Sequence, residues 1–121
     1  MKCPCNPSVN YSDCCKKAHQ DITTVSSPEA LMRSRYAAFV LANINYLQLS
    51  HHSSTRPSNK EKKEILRWTK SVEWVRLEIL YTFKSCVEFK AYFIENGKSE
   101  IIHENSVFTL ENNHWTYLKA K

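Results

Sequence analysis

The period of the hydrophobic pattern changes once along the chain, near Val72, and this change restricts the possible folds more than any other feature. Before it, apolar residues such as Met32, Tyr36 and Phe39 recur at the spacing of one helix face. After it, apolar and polar residues alternate, as over 87–93, which is the period of a strand with one buried side. Helices followed by strands predict an α+β fold in which a curved antiparallel sheet wraps over the helices.

Local signals predict where these elements begin and end. Ser27 as N-cap and Pro28 in the first turn predict a helix that begins at Pro28. The pair Ser58 and Glu61 matches a capping box and predicts another helix that runs to Trp68. Four antiparallel strands are expected at about 72–83, 86–95, 100–110 and 114–119, with turns at Asn96-Gly97 and Asn112-Asn113.

Composition excludes several functional classes. Gly97 is the single glycine among 121 residues, so glycine-rich phosphate loops and dinucleotide fingerprints are absent. No apolar run is long enough for a membrane span or a secretory signal, and we therefore expect a cytoplasmic protein with no membrane insertion. The net charge of +5 is concentrated between residues 58 and 71, where Glu61 and Glu64 are interleaved with the basic residues as on a solvated helix face. Nucleic acid is therefore not the expected partner.

Four of the five cysteines fall within thirteen residues, in the pattern C-x-C-x8-C-C. A tight group of thiols in a reducing compartment is typical of a metal site, and four thiolates suit a tetrahedral, structural Zn²⁺. The expected zinc ligands are Cys3, Cys5, Cys14 and Cys15. A metal-free thiol-rich tail and a regulatory disulfide are the alternatives. Because protein would fill all four positions, hydrolytic zinc chemistry is not expected. His19 is interpreted as a surface residue and Cys86 as a small buried hydrophobe.

Several blocks of the sequence occur together in a known family. In chain order they are Cys3-Pro4-Cys5, Cys14-Cys15, Leu31-Met32-Arg33-Ser34-Arg35-Tyr36 with Phe39, His52, Ser54-Thr55-Arg56-Pro57, Val87-Glu88-Phe89, His103-Glu104 with Ser106 and Phe108, and Trp115 with Tyr117. With these blocks the chain resembles the bacterial YchJ-like family of uncharacterised proteins. The resemblance implies a zinc knuckle similar to the SEC-C motif over residues 1–20, joined to a nuclear-transport-factor-2-like domain over residues 28–121. The implied cone, a bent sheet around a long first helix, agrees with the element order predicted above.

The chain departs from the family pattern in the knuckle and beside the loop histidine. Asn6-Pro7 stands where the family usually has Gly-Ser, and Lys16 stands where it usually has glycine. Asparagine tolerates left-handed backbone geometry, so Asn6 is expected to substitute for the glycine. Of the two loop histidines, His52 carries the match to the family, whereas His51 stands where the family usually has tryptophan.

The polar residues of the matched blocks are candidates for a site between the first helix and the concave face of the sheet. They are Arg33, Arg35, Tyr36, His52, Arg56, Glu88, His103 and Glu104. A purely structural role would pair Arg35 with Glu88 or Glu104 and so fix the helix to the sheet. If these side chains converge on a cavity, arginines with a histidine suit a small anionic ligand, and histidines with carboxylates suit acid/base catalysis.

Two functions are consistent with these observations. The favoured one is a non-catalytic adaptor whose knuckle presents Lys2, Lys16 and Lys17 to a protein partner, as the similarity to the SEC-C motif of the SecA translocation ATPase implies. The alternative is a small-molecule binding protein or enzyme that uses the cavity, with His52 as acid or base and Arg33 or Arg35 as an anion clamp. A homodimer formed through the open face of the sheet is a further expectation from the implied fold.

Overall fold

The first twenty residues form a small hairpin followed by a short helix, and we refer to them as the knuckle. In the computed structural model, which describes residues 1–121, strands β1 (Lys2–Cys3) and β2 (Asn6–Asn10) pair antiparallel. A 3-10 turn covers Tyr11–Asp13, and helix α1 spans Cys15–Gln20. Asn6 begins β2 and has no positive φ, so this position does not require the left-handed geometry that glycine favours.

Three further helices precede the sheet: α2 (Pro28–Val40), α3 (Ile44–Leu49) and α4 (Asn59–Ser71). The predicted start of α2 is confirmed, since the Ser27 hydroxyl accepts a hydrogen bond from the Ala30 amide at 3.1 Å. The predicted capping box of α4 is also confirmed, although the helix continues to Ser71. None of these helices combines the length and the hydropathy that crossing a membrane requires.

The second half of the chain is one antiparallel meander of four strands. They are β3 (Glu73–Phe83), β4 (Cys86–Glu95), β5 (Lys98–Glu111) and β6 (His114–Ala120), in the spatial order β3-β4-β5-β6. The hairpin predicted at Asn96-Gly97 is confirmed by φ angles of 52° and 76°. Irregular pairing in β3 and at the Val107/Phe108 step bends the sheet. The prediction of an α+β fold with a curved sheet is therefore confirmed.

A single hydrophobic cluster joins the knuckle, the helices and the sheet. On β4, Val87, Phe89, Ala91 and Phe93 are buried, whereas the residues between them are half-buried on the opposite face. The cluster contains Leu31 and other residues of α2, and it extends into the knuckle cysteines. The knuckle therefore packs on α2 as part of the same core.

The segment that follows α3 lies along the free edge of β6. Tyr117 donates its backbone N–H to the Ser50 carbonyl and accepts from the His52 amide, both at 2.8 Å. His51 forms an isolated parallel bridge with Tyr117 between these two bonds. This pairing covers a sheet edge and fixes the position of His51 relative to the concave face.

Candidate metal centre and cavity

The four knuckle cysteines converge on one point. All four Sγ atoms lie within 4.8 Å of one another, and the separations are 3.6 Å for Cys3–Cys5, 3.5 Å for Cys5–Cys14 and 4.0 Å for Cys14–Cys15. A tetrahedron with Zn–S bonds of about 2.3 Å has sulfur–sulfur edges of about 3.8 Å. All four thiols are free, because disulfide sulfurs would lie about 2.05 Å apart. The donor set and its spacing therefore fit a tetrahedral, thiol-preferring metal ion.

Two pieces of local structure bring the cysteines together. The β1–β2 hairpin holds Cys3 and Cys5, and the Tyr11 amide donates to the Met1 carbonyl at 2.9 Å to close its open end. The backbone of Cys14 has φ −134° and ψ −114°, outside helical geometry, and α1 begins at the next residue. This turn lets two adjacent cysteines present their sulfurs to the same point.

The environment of the cluster favours one thiolate and opposes further ones. Hydrogen bonds from the neighbouring thiols, that of Cys15 above all, lower the pKa of Cys5 to about 5. Burial and the neighbouring Cys5 raise the pKa of Cys14 to about 11, and the hydrogen bond with Cys5 raises the pKa of Cys15. Four thiolates can be held here when a cation offsets their mutual repulsion, so metal binding and deprotonation are coupled.

His19 connects the knuckle to α2, and its interpretation as a surface residue is wrong. Its Nε2 lies 2.8 Å from the Ser34 carbonyl oxygen, and its Nδ1 lies 2.6 Å from the Tyr11 hydroxyl. A carbonyl oxygen can accept but not donate, so Nε2 carries the proton and Nδ1 accepts from Tyr11. Burial lowers the pKa of His19, which favours this neutral form. Both ring nitrogens are thus engaged away from the cysteines.

A cavity of about 270 Å³ lies between α2, α4 and the concave face of the sheet. Its apolar walls come from Met32, Phe39, Ile65, Phe89, Ala91 and Ile102. One end is aromatic: the rings of Trp68 and Trp74 meet edge to face with their centroids 5.5 Å apart. The volume is just below the range of roughly 300–1,000 Å³ that is usual for small-molecule sites, so the cavity suits a small ligand.

Polar side chains are concentrated elsewhere on the cavity lining. They are Arg35, His51, Glu104, Ser106 and Tyr117. Arg35 donates from Nη1 to the Leu47 carbonyl at 2.9 Å and to the Ser50 hydroxyl at 2.7 Å, and its guanidinium lies 5.0 Å from the centre of the Tyr117 ring. Burial lowers the pKa of Arg35 to about 10, which leaves it charged at neutral pH. The cavity thus contains a buried cation.

The structure brings three of the eight candidate pocket residues to the cavity. Arg35, Tyr36 and Glu104 line it. The expected ion pair between Arg35 and Glu88 or Glu104 is absent, since no carboxylate oxygen lies within 4.0 Å of the Arg35 nitrogens. The Oε2 atom of Glu104 accepts instead from the hydroxyls of Ser106 and Tyr117.

Glu88 and His103 lie on the opposite face of the sheet, 2.7 Å apart as an exposed pair. They are the strand neighbours of the inward-facing residues Phe89 and Glu104, and successive side chains of a strand point to opposite faces. The expectation that they reach the cavity is therefore wrong.

The remaining three candidates also lie outside the cavity. His52 and Arg56 approach Glu111, at 3.5 Å and 3.9 Å, on the rim of the loop beside β6. Arg33 points toward the knuckle, where it donates to the Cys5 carbonyl at 3.2 Å and to Glu29 at 3.0 Å. Its role is thus to hold α2 against the metal centre, and no anion clamp in the cavity includes it.

Sequence reasoning missed several lining residues, most of all His51. The alternation of β5 could have placed Ser106 inward with Glu104, because they are two residues apart. No local signal marks His51, which reaches the cavity because its segment pairs with β6. Burial, together with the positive charges of Arg35 and Arg56, lowers the pKa of His51 to about 4, so its ring is neutral at pH 7.

A second depression, of about 230 Å³, adjoins the metal centre between α1 and α2. Cys14 and Cys15 form part of its floor, and Lys17 and Arg33 bring two positive charges to it. The concave surface next to the knuckle is therefore basic.

Comparisons with known proteins match both parts of the chain. Residues 27–120 match a family model described as the middle, NTF2-like domain of YchJ. The chain is 39% identical to a UPF0225 protein of Haemophilus influenzae, with 96% of this chain and 74% of that protein covered. It is 35% identical to a UPF0225 protein of Vibrio parahaemolyticus, with 96% and 72% covered.

Two solved structures have the same fold over nearly the whole chain. The solution structure of a SEC-C motif containing protein from Rhodopseudomonas palustris gives a TM-score of 0.86 at 29% identity, covering 100% of this chain and 98% of that one. The crystal structure of a SEC-C motif containing protein from Psychrobacter arcticus gives 0.79 at 29% identity, covering 98% and 81%. The likeness therefore includes the knuckle as well as the domain behind it.

Proposed function

Since the chain belongs to the YchJ-like family of bacterial UPF0225 proteins, we propose that it is a non-catalytic interaction module. In this proposal a structural Zn²⁺ shapes the knuckle, which docks on an acidic segment of a partner protein. The single observation that carries the proposal is the closed group of four cysteine sulfurs at the base of an exposed basic surface.

Zinc is the proposed metal because four thiolates at tetrahedral spacing suit it best among the common protein metals. When bound, the ion supplies cross-links between the hairpin and α1. Three of its ligands are almost completely buried: Cys3 is 2% exposed, and Cys5 and Cys15 are each 4% exposed. With four protein ligands no coordination position remains for substrate, so we assign this centre an architectural role.

The surface around the centre is positively charged. Lys2, Lys16 and Lys17 are exposed, and no acidic group lies within 4.0 Å of their ammonium nitrogens. Asp13 is the one acidic residue in the knuckle. The Zn²⁺ and four thiolates carry a formal charge of −2, and three of these four thiolates are buried whereas the lysines are exposed. An acidic peptide segment complements such a surface, and the depression beside Lys17 offers a recess for one of its side chains.

The proposed compartment is the cytoplasm, because reduced thiols persist there and a zinc–thiolate centre requires them. Association driven by exposed lysines should also weaken as the salt concentration rises, because surface charges are screened.

Alanine substitution of the knuckle lysines tests the proposal. The variant Lys16→Ala/Lys17→Ala is compared with Lys60→Ala/Lys63→Ala, which removes the same charge from the exposed face of α4. Metal content and melting temperature are measured first, to establish that both variants are loaded and folded. Tagged proteins are then isolated from reduced cell extract, and co-purifying proteins are quantified by mass spectrometry.

The expected result is a partner that the knuckle variant loses and the α4 variant retains. Titration with that purified partner should then show at least about tenfold weaker binding by the knuckle variant, and an affinity that decreases with salt. If the knuckle variant retains every partner that the wild type captures, the knuckle is not the docking surface and the proposal is wrong.

A further inference from the structure

The cavity has two chemically different ends. At one end Trp74 pairs with Phe93 across the sheet, and Trp68 covers both rings at centroid distances of 5.5 Å and 5.6 Å. At the other end Phe89 pairs with Glu104. These positions on β4 are four residues apart, so at about 3.3 Å per residue their backbone atoms are separated by roughly 13 Å, and the lining side chains shorten the space between the two ends. A ligand that fits both ends has an apolar body and a polar head.

Arg35 presents unused hydrogen-bond donors at the polar end. The side chain is 7% exposed, and its two hydrogen bonds both come from Nη1. Every fully enclosed side-chain nitrogen or oxygen has a partner, so Nε and Nη2, which have none, are not fully enclosed. The open space that Arg35 lines is the cavity. A buried guanidinium with two free donors and no carboxylate within 4.0 Å is a strong site for an anionic group.

Glu104 presents an unused acceptor in the same cavity. Its Oε2 atom accepts from the Tyr117 hydroxyl at 3.0 Å and from the Ser106 hydroxyl, whereas no donor contacts Oε1. The Tyr117 ring stands between Glu104 and Arg35, and it contacts the guanidinium through its face. The two charges are thereby held apart rather than neutralised by direct contact, and each remains available to a ligand.

We infer that the cavity binds a small zwitterion with an apolar body, of the class of aromatic α-amino acids. The ligand's carboxylate pairs with Arg35, its ammonium group pairs with Glu104, and its ring packs on Trp68 and Trp74. A simple carboxylate would be repelled by Glu104, and a simple amine would be repelled by Arg35, whereas a zwitterion satisfies both. This site is separate from the knuckle surface and stands or falls independently of the proposed docking function.

Titration of the zinc-loaded full chain, followed by proton–nitrogen NMR, tests this inference. The probes are L-phenylalanine and L-tryptophan, together with 3-phenylpropionate, which lacks the ammonium, and phenethylamine, which lacks the carboxylate. The amino acids should shift the indole N–H signals of Trp68 and Trp74. Each half-molecule should bind at least about tenfold more weakly, because one charged hydrogen bond is lost. No binding of either amino acid, or equal binding of a half-molecule, would overturn the inference.

Three variants assign the contacts. Glu104→Gln should weaken binding of L-phenylalanine about tenfold or more, whereas Glu88→Gln, which makes the same change on the outer face, should leave it unchanged. Ala91→Leu adds volume to the cavity wall and should abolish binding, and its melting temperature is measured to establish that the variant is folded. Arg35 itself is not replaced, because its hydrogen bonds hold α3 in place and their loss would also disturb that helix. Unchanged binding by Glu104→Gln or by folded Ala91→Leu would place the ligand elsewhere and refute the inference.

Discussion

Removal of the metal should destabilise the whole chain, and the packing of the knuckle gives the magnitude. Ile22 and Val25, which follow α1, are each 7% exposed and belong to the same hydrophobic cluster as Leu31. Without the metal the four cysteine sulfurs are no longer held together, so the knuckle opens and the side chains of Ile22 and Val25 become exposed to solvent. Burial of an aliphatic side chain stabilises by about 1.5–3 kcal/mol, so the loss amounts to about 3–6 kcal/mol. This is a large part of the roughly 5–15 kcal/mol that stabilises an ordinary domain.

In a domain of this size, each kcal/mol corresponds to roughly 3–6 °C in melting temperature, so we expect a decrease of about 10–35 °C. The assay is thermal unfolding by circular dichroism under reducing conditions, before and after chelation, with metal content measured by elemental mass spectrometry. The variant Cys14→Ser/Cys15→Ser should reproduce the effect of chelation. Cys86→Ser is the matched control, because Cys86 lies in β4 away from the cluster.

Two outcomes would refute this reasoning. If the chelated protein contains no metal and still melts at the temperature of the untreated protein, the knuckle does not support the core. If folded protein purified without added metal contains none, the zinc assignment itself is wrong. One zinc per chain, lost together with the predicted stability in the double variant, is the result we expect.

Three further predictions concern the domain behind the knuckle. Leu31→Ala should lower the free energy of unfolding in urea by about 2–5 kcal/mol, because Leu31 is fully buried. The control Leu110→Ala, at a residue that is 59% exposed, should change it by less than about 0.5 kcal/mol. Similar losses in the two variants would contradict the described core. Ser58→Ala removes the capping box of α4 and should cost about 1 kcal/mol in the same assay, and no loss would show that the cap is dispensable. Burial and two arginine charges lower the pKa of His51 from 6.5 to about 4, so stability is complete above pH 6.5 and decreases as the pH falls toward 4, by roughly 1–3 kcal/mol. In His51→Gln the stability should therefore change less between pH 6.5 and pH 4, whereas the control His103→Gln, at an exposed histidine, should keep the wild-type dependence. If His51→Gln leaves the dependence of stability on pH unchanged, His51 is not its source.

Elements with strong local signals were predictable from the sequence. The capping residues at Ser27 and Ser58 determine where two helices begin, because each hydroxyl satisfies an amide that the helix leaves unpaired. Asn96-Gly97 determines the β4–β5 turn, because both residues tolerate positive φ. The alternation after Val72 then gives four strands whose bounds agree with the structure to within about two residues, the usual uncertainty of such boundaries.

The knuckle hairpin was not predictable in the same way. Strand β1 has two residues, too few for any period to show, and β2 includes a proline that favours turns. Its geometry follows from the cysteines that must meet at one point. The grouping of the four cysteines could therefore be predicted from their spacing, whereas the backbone that carries them could not.

The cavity was predictable in part. Once Phe89 is placed inward, alternation puts Glu88 outward, and the pairing of Phe89 with Glu104 brings the second carboxylate inside. That step needs the strand register, which the sequence pattern does not specify. His51 reaches the cavity only because its segment pairs with β6. Arg35 has no carboxylate partner because hydroxyl groups bind Glu104 instead. Both are tertiary contacts that no local sequence signal predicts.

Helix α2 connects the two sites through the run from residue 31 to residue 36. Successive residues of a helix are rotated by about 100°, so Arg33 and Arg35 point about 200° apart, toward opposite sides of α2. Arg33 donates to the backbone of the knuckle, and the Ser34 carbonyl accepts from the knuckle histidine. Arg35 turns toward the cavity, where Met32 and Tyr36 form the wall on either side of it. A substitution at Arg33 should therefore alter the metal centre, and one at Arg35 the cavity, although the two arginines are two residues apart.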